Sequence, residues 1–148
     1  MLIRRKAYAY ITHGSRLLVF VHVNKPEAGI QVPGGSLEDG EDPAVGALRE
    51  AYEETGLENL TLVRFLGEQW RDLRPHGMEQ TDHRHFYHLR CEGDVPERWR
   101  HSELTPSDGG VGPIPFELYW VNLFDVLPQL IAEQGFLLDR LIETIQQG

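Results

Sequence analysis

At 148 residues, with 41% hydrophobic and 25% charged positions, the chain suits one domain spanning residues 1–148 around a sizeable core. A net charge of −9 argues against broad electrostatic binding to DNA, long RNA or anionic membranes, but leaves small phosphorylated ligands open. The N-terminus has no signal-peptide pattern, no apolar run approaches the roughly 18 residues of a membrane span, and Cys91 is the only cysteine; a reducing cytoplasm is the expected compartment.

In chain order, residues 6–12 read as a strand and His13-Gly14-Ser15 as a turn. Residues 16–23 form a near-continuous apolar run, expected to be a buried strand, followed by a polar loop over 24–29. A short strand over 30–32 should end at Pro33-Gly34-Gly35, where the backbone turns sharply or approaches a ligand closely. Residues 60–66 are the next strand, with an extension to Trp70 open, and 71–81 a surface loop. A strand over 82–91 leads into a proline- and glycine-rich stretch, 92–115, expected to be a long excursion and the most mobile part. The last strand covers 117–123, a short helix lies around Leu127 to Ile131, and apolar residues at helical spacing over 137–145 give a core-packing final helix. Strands, helix, strands, helix imply an α/β domain with a mixed sheet between helices.

The helix between the two groups of strands carries the chemistry. Asp42 suits the N-cap, Pro43 the first helical position and Gly56 the left-handed C-terminal position, so the helix should cover Pro43–Thr55. At about 100° per residue, Ala44, Val45, Leu48, Ala51, Tyr52 and Thr55 form an apolar face expected to meet the core. Glu50, Glu53 and Glu54 fall opposite, with Gly46 one turn earlier, where a missing side chain would leave room for whatever a cation holds. Carboxylates at this spacing repel one another, and a divalent cation would turn that repulsion into coordination.

Residues 35–57 also fit a pattern of Gly, five residues, Glu, seven residues, then Arg-Glu-apolar-x-Glu-Glu-x-Gly-apolar, met at Gly35, Glu41, Arg49, Glu50, Ala51, Glu53, Glu54, Gly56 and Leu57. A chance match in a chain this long is on the order of 10⁻⁸. This is the Nudix box, and the chain resembles the Nudix hydrolase family. The resemblance implies a Nudix-type α/β/α sandwich with a mixed central sheet. It implies hydrolysis of a pyrophosphate bond in a nucleoside diphosphate linked to another moiety, with Mg²⁺ or Mn²⁺ as cofactor. By the same resemblance Glu53 and Glu54 are the main metal ligands, Glu50 is a third ligand or the base, and a carbonyl of Gly34 or Gly35 also coordinates. Arg49 orients the box carboxylates, with Glu41 its salt-bridge partner, while Gly35, Glu41 and Gly56 shape the box. A homodimer is the assembly the family suggests. The general base can also lie outside the box, where Glu68, Asp72, Glu79 and Asp82 are available.

Arg4, Arg5 and Arg84 are candidate contacts to substrate phosphate, because guanidinium matches phosphate geometry. His83 and His85 alternate onto one strand face; His-x-His can bind zinc, but the sequence offers no matching third ligand, and substrate contact or solvent exposure is preferred. Tyr8, Tyr10, Trp70, Phe86, Tyr87 and Trp120 are candidates for base stacking, although strand aromatics more often serve the core. Two other functions share the fold. A non-catalytic nucleotide sensor would not need every ligand kept, and an isoprenoid-diphosphate isomerase would need a protonating apparatus for which Cys91 is the sole hint.

Overall fold

The computed structural model describes residues 1–103 and 113–147. Seven strands form one mixed sheet: β1 (Leu2–His13), β2 (Arg16–His22), β3 (Gly34–Ser36), β4 (Leu60–Asp72), β5 (Gln80–Cys91), β6 (Arg98–Glu103) and β7 (Ile114–Asn122). Along the sheet they run β4-β5-β1-β2-β7-β6, with β3 paired to β1 outside that order. β1 and β5 are parallel and the other pairs antiparallel. Helix α1 (Pro43–Thr55) covers one face and α2 (Leu138–Gln147) the other. This is the α/β layering with a mixed sheet that the sequence leads one to expect.

Strand alternation divides the core between the faces. Along β1, Ala7, Ala9 and Ile11 face α1, where they meet Ala47, Ala51, Tyr87, Leu89 and Leu118. Tyr8 and Tyr10 point the other way, onto Phe86, Leu123, Leu138 and Leu141. Small residues on both β1 and α1 let the helix lie close to the sheet. The alternation Ala-Tyr-Ala-Tyr thus seats the helix on one side and fills a deeper aromatic core on the other.

Several expectations are corrected. Residues 30–32 are not a strand: Ile30 and Gln31 make only isolated bridges, to Leu130 and Phe20. The strand is the next segment, Gly34–Ser36, because side-chain-free Gly34 allows contact with β1; a Cβ there would lie 2.6 Å from the Ala7 carbonyl oxygen and 2.4 Å from the Tyr8 ring. The loop expected over 71–81 shrinks, since β4 runs to Asp72 and β5 begins at Gln80. The helix expected near Leu127 to Ile131 is a short 3₁₀ turn at Ile131–Glu133. The stretch 92–115 contains strand β6 and the start of β7; its residues 104–112 lie outside those described, as does the mobility expected of them.

The helix faces also differ from expectation. Val45 and Tyr52 are 57% and 39% exposed, whereas Gly46, Ala47, Glu50, Ala51, Glu54 and Thr55 are the buried positions. The expected face meets the core through Ala44, Leu48, Ala51 and Thr55, but the helix is rotated so that Ala47 joins them, which carries two of its glutamates under cover and turns Val45 and Tyr52 outward.

Candidate active site

The ends of α1 are set by local chemistry. Asp42 accepts a hydrogen bond from the Ala44 N–H at 2.8 Å, Pro43 follows, and Gly56 takes φ 72°. Beyond that end, β6 holds the last turn: His101 Nε2 donates to the Glu53 carbonyl and Trp99 Nε1 to the Thr55 carbonyl, both at 2.8 Å. Two carbonyls that the helix leaves unpaired thereby gain donors.

Fixed in this way, α1 points Glu50 and Glu54 toward Glu103 at the end of β6. One carboxylate oxygen from each of the three lies within 4.8 Å of the others, and all three residues are buried. Glu54 Oε1 accepts from the Gly34 N–H at 2.8 Å, which joins the helix to β3. Glu50 Oε1 accepts from Arg49 Nη1 at 3.0 Å; its Oε2 is buried with no hydrogen-bond partner among the described residues. Burial, with Glu103 and Glu53 nearby, pushes the Glu50 carboxyl up to about 7 against the pull of Arg49. Burial and the neighbouring Glu50 raise Glu54 well above the ordinary carboxylate range.

Arg49 organises the rim. Its Nε and Nη2 grip both oxygens of Glu41 at 2.8 Å, while Nη1 reaches Glu50 and, at 3.4 Å, Glu53. The paired arginine brings Glu41 down to about 2. Glu41 also accepts from the Glu38 N–H at 3.0 Å, closing the loop onto the helix. The room expected at Gly46 belongs to this loop: a Cβ there would sit 2.2 Å from Leu37 Cδ2 and 3.0 Å from Glu41 Oε1. Gly46 therefore admits protein rather than ligand.

Of the residues singled out from sequence, Glu50 and Glu54 share the buried cluster, while Glu53 sits on its exposed rim. Gly35 lies in β3 opposite Ala7. Arg4 is exposed on β1, and Arg5 donates to the Glu41 carbonyl at 2.9 Å, so it supports the loop. Arg84 is buried, its guanidinium 4.8 Å from the Tyr8 ring centroid and bonded to Gln69 and the Tyr8 hydroxyl. Arg84, Tyr8, Arg71, Gln134, Gly34 and Gly35 help line a cavity of about 530 Å³. Gly34 belongs to both places, lining the cavity with its backbone while its N–H holds Glu54.

None of Glu68, Asp72 and Asp82 joins the buried cluster: Glu68 pairs with His83, Asp72 with Arg74, and Asp82 with Lys6. Glu103 is the residue sequence reasoning missed. Its signal was the alternation Trp99, His101, Glu103 against Arg98, Arg100, Ser102, a strand pattern set between prolines and glycines. Cys91 is buried in the α1-side core with its thiol pushed up by burial, which removes the one feature favouring the isomerase.

A model of the NUDIX domain matches residues 2–135. The chain belongs to the NUDIX family. Among curated relatives, an RNA pyrophosphohydrolase from Brucella ovis is 36% identical over 112 residues, covering 69% of this chain and 59% of that protein. One of the same name from Rhizobium meliloti is 34% identical over 92 residues, covering 56% and 52%. The chain thus spans a little over half the length of these relatives. Among solved structures, a MutT NUDIX hydrolase from Burkholderia pseudomallei superposes with a TM-score of 0.67 at 22% identity, covering 95% of this chain and 98% of that one. A C. elegans Ap4A hydrolase complex gives 0.70 at 16%, covering 98% and 99%. These likenesses establish a NUDIX hydrolase fold.

Proposed function

We propose that the chain, as one domain, hydrolyses a phosphoric anhydride bond with Mg²⁺ or Mn²⁺ bound at Glu50, Glu54 and Glu103. The observation that carries this reading is the buried cluster itself, with one Glu50 oxygen shielded from water and lacking a hydrogen-bond partner among the described residues. Burying a carboxylate oxygen without a partner costs free energy, and a hard divalent cation would offset it through the oxygen ligands such ions prefer. The donor set, three carboxylates and no imidazole, fits Mg²⁺ or Mn²⁺. When bound, such an ion neutralises phosphate charge and acidifies water.

The chain's own residues supply the rest. Arg49 fixes the Glu50 rotamer and takes up part of its charge. Glu53 on the rim would offer a further carboxylate to a second ion or to ion-bound water. The rise of Glu50 to about 7 belongs to the metal-free chain; a bound cation would favour its ionised form and keep it a ligand. Gly34 and Gly35 bring bare backbone to the edge of the cavity, where Arg84 offers cationic charge and Tyr8 an aromatic ring to the group carried by the anhydride.

RNA bearing a 5′-terminal anhydride is the substrate class we propose first, on the named activity of the Brucella and Rhizobium relatives. The acidic surface suits engagement of the phosphorylated end more than of a long RNA backbone. The test compares RNA with 5′-triphosphate against free nucleotides, nucleotide sugars and dinucleoside polyphosphates, scoring released phosphate. Preference for RNA supports the assignment, and equal or better turnover of free nucleotides moves it to small molecules. A cytoplasmic location suits the single reduced cysteine and such a substrate.

A further inference from the structure

Away from the carboxylate cluster, β5 turns His83 and His85 onto the same face of the sheet as Tyr87. β4 runs antiparallel beside them, with Glu68 opposite His85 and Trp70 opposite His83. His83 Nε2 and Glu68 Oε2 are 2.6 Å apart, and the His83 ring stacks on Trp70 with centroids 3.7 Å apart. The two imidazole centroids are 4.3 Å apart. One ligand atom from each of Glu68, His83 and His85 lies within 4.8 Å of the other two.

The hydrogen bonding fixes the chemistry of His85. Its Nδ1 is 3.1 Å from the Lys6 carbonyl, and a carbonyl only accepts, so Nδ1 donates and Nε2 keeps the lone pair. Metal-binding histidines are typically held by this kind of outer hydrogen bond. A Glu68–His83 hydrogen bond alone would need neither the second imidazole nor its fixed tautomer. The Glu68 side chain is 52% exposed, so an ion can reach the group from solvent.

We propose that Glu68, His83 and His85 form a second metal site, separate from the Glu50–Glu54–Glu103 cluster and selective for Zn²⁺. Two imidazoles and one carboxylate are a zinc ligand set, whereas Mg²⁺ favours oxygen alone. Three protein ligands leave a fourth position to water. Since the ligands come from adjacent strands, the ion would clamp β4 to β5, the pair at one edge of the sheet.

The test titrates Zn²⁺ calorimetrically into the full chain with excess Mg²⁺ present, and repeats it for His85→Ala, for the Glu68→Gln variant that preserves shape, and for Glu54→Gln. The expected result is one zinc equivalent. Its affinity should fall in His85→Ala by more than the roughly 10–100-fold that loss of an outer hydrogen-bond partner causes. It should weaken in Glu68→Gln and hold in Glu54→Gln. X-ray absorption on the zinc-loaded chain should read two imidazole nitrogens. Unchanged affinity in both His85→Ala and Glu68→Gln, loss in Glu54→Gln alone, or an oxygen-only shell overturns the proposal.

Discussion

Glu54 sits where water cannot solvate its charge, held by the Gly34 N–H and crowded by Glu50 and Glu103. Such a residue costs the metal-free fold stability that the proposed cation would restore. Glu54→Gln keeps an oxygen for the Gly34 N–H and removes the charge. It should lower kcat/KM by roughly 100-fold or more while leaving metal-free stability unchanged or higher, measured by steady-state kinetics and denaturant melts in chelator. Near-normal turnover would contradict its role as ligand. The same electrostatics set a pH dependence. Folding raises Glu50 and Glu54 above their ordinary 4.5, so above that pH the folded state holds more protons than the unfolded one and stability falls as pH rises. Burial lowers His85 and takes His88 to about 4, which acts oppositely below the ordinary histidine value of 6.5. In the window left clear, about pH 6.5 to 8, the chelated chain should lose up to about 1.4 kcal/mol per pH unit for each carboxyl still protonated, and Glu54→Gln should flatten that slope. Stability rising across that window would contradict the buried carboxylates.

At the scale of elements, the site is an agreement between α1, β3 and β6. Helix α1 was legible in sequence to both of its ends, because Asp42, Pro43 and Gly56 act on their own neighbours. Its apolar face was legible at Ala44, Leu48, Ala51 and Thr55 but not the rotation that buries Ala47 and exposes Val45 and Tyr52, since alanine carries a weak apolar signal and β1 presents alanines to the helix. Strand β6 was hidden for a related reason: it is short and polar, and gains its place by pairing with β7 and by donating from Trp99 and His101 to the end of α1. Trp99→Phe should remove the bond to the Thr55 carbonyl, costing about 0.5–1.5 kcal/mol in denaturant melts and lowering activity by displacing Glu103. An unchanged rate with reduced stability would separate the clamp from the chemistry. Gly34→Ala is the harsher change, because the added methyl meets the Ala7 carbonyl and the Tyr8 ring. We expect a loss of about 1–3 kcal/mol in the same melts, and stability equal to the parent would contradict the close approach of β3 to β1.

Over the whole molecule, the sheet separates two tasks. One face receives α1 and its carboxylates, while the other is filled by tyrosines, Phe86 and α2. The layering could be read from the sequence because apolar periodicity is local, and the box because its spacing is rare. Contacts joining distant residues could not: Glu103 to Glu50, Glu68 to His83, and the parallel pairing of β1 with β5 all depend on register set by tertiary structure. Net charge belongs to this scale too: −9 with three buried glutamates is the balance that the proposed divalent cation would relieve. The decisive measurement is phosphate release from the substrate panel with Mg²⁺, with Mn²⁺ and with EDTA. Hydrolysis of at least one phosphoric anhydride that requires the metal and vanishes in EDTA is the predicted result; full activity in EDTA, or none on any anhydride with either metal, would contradict the account.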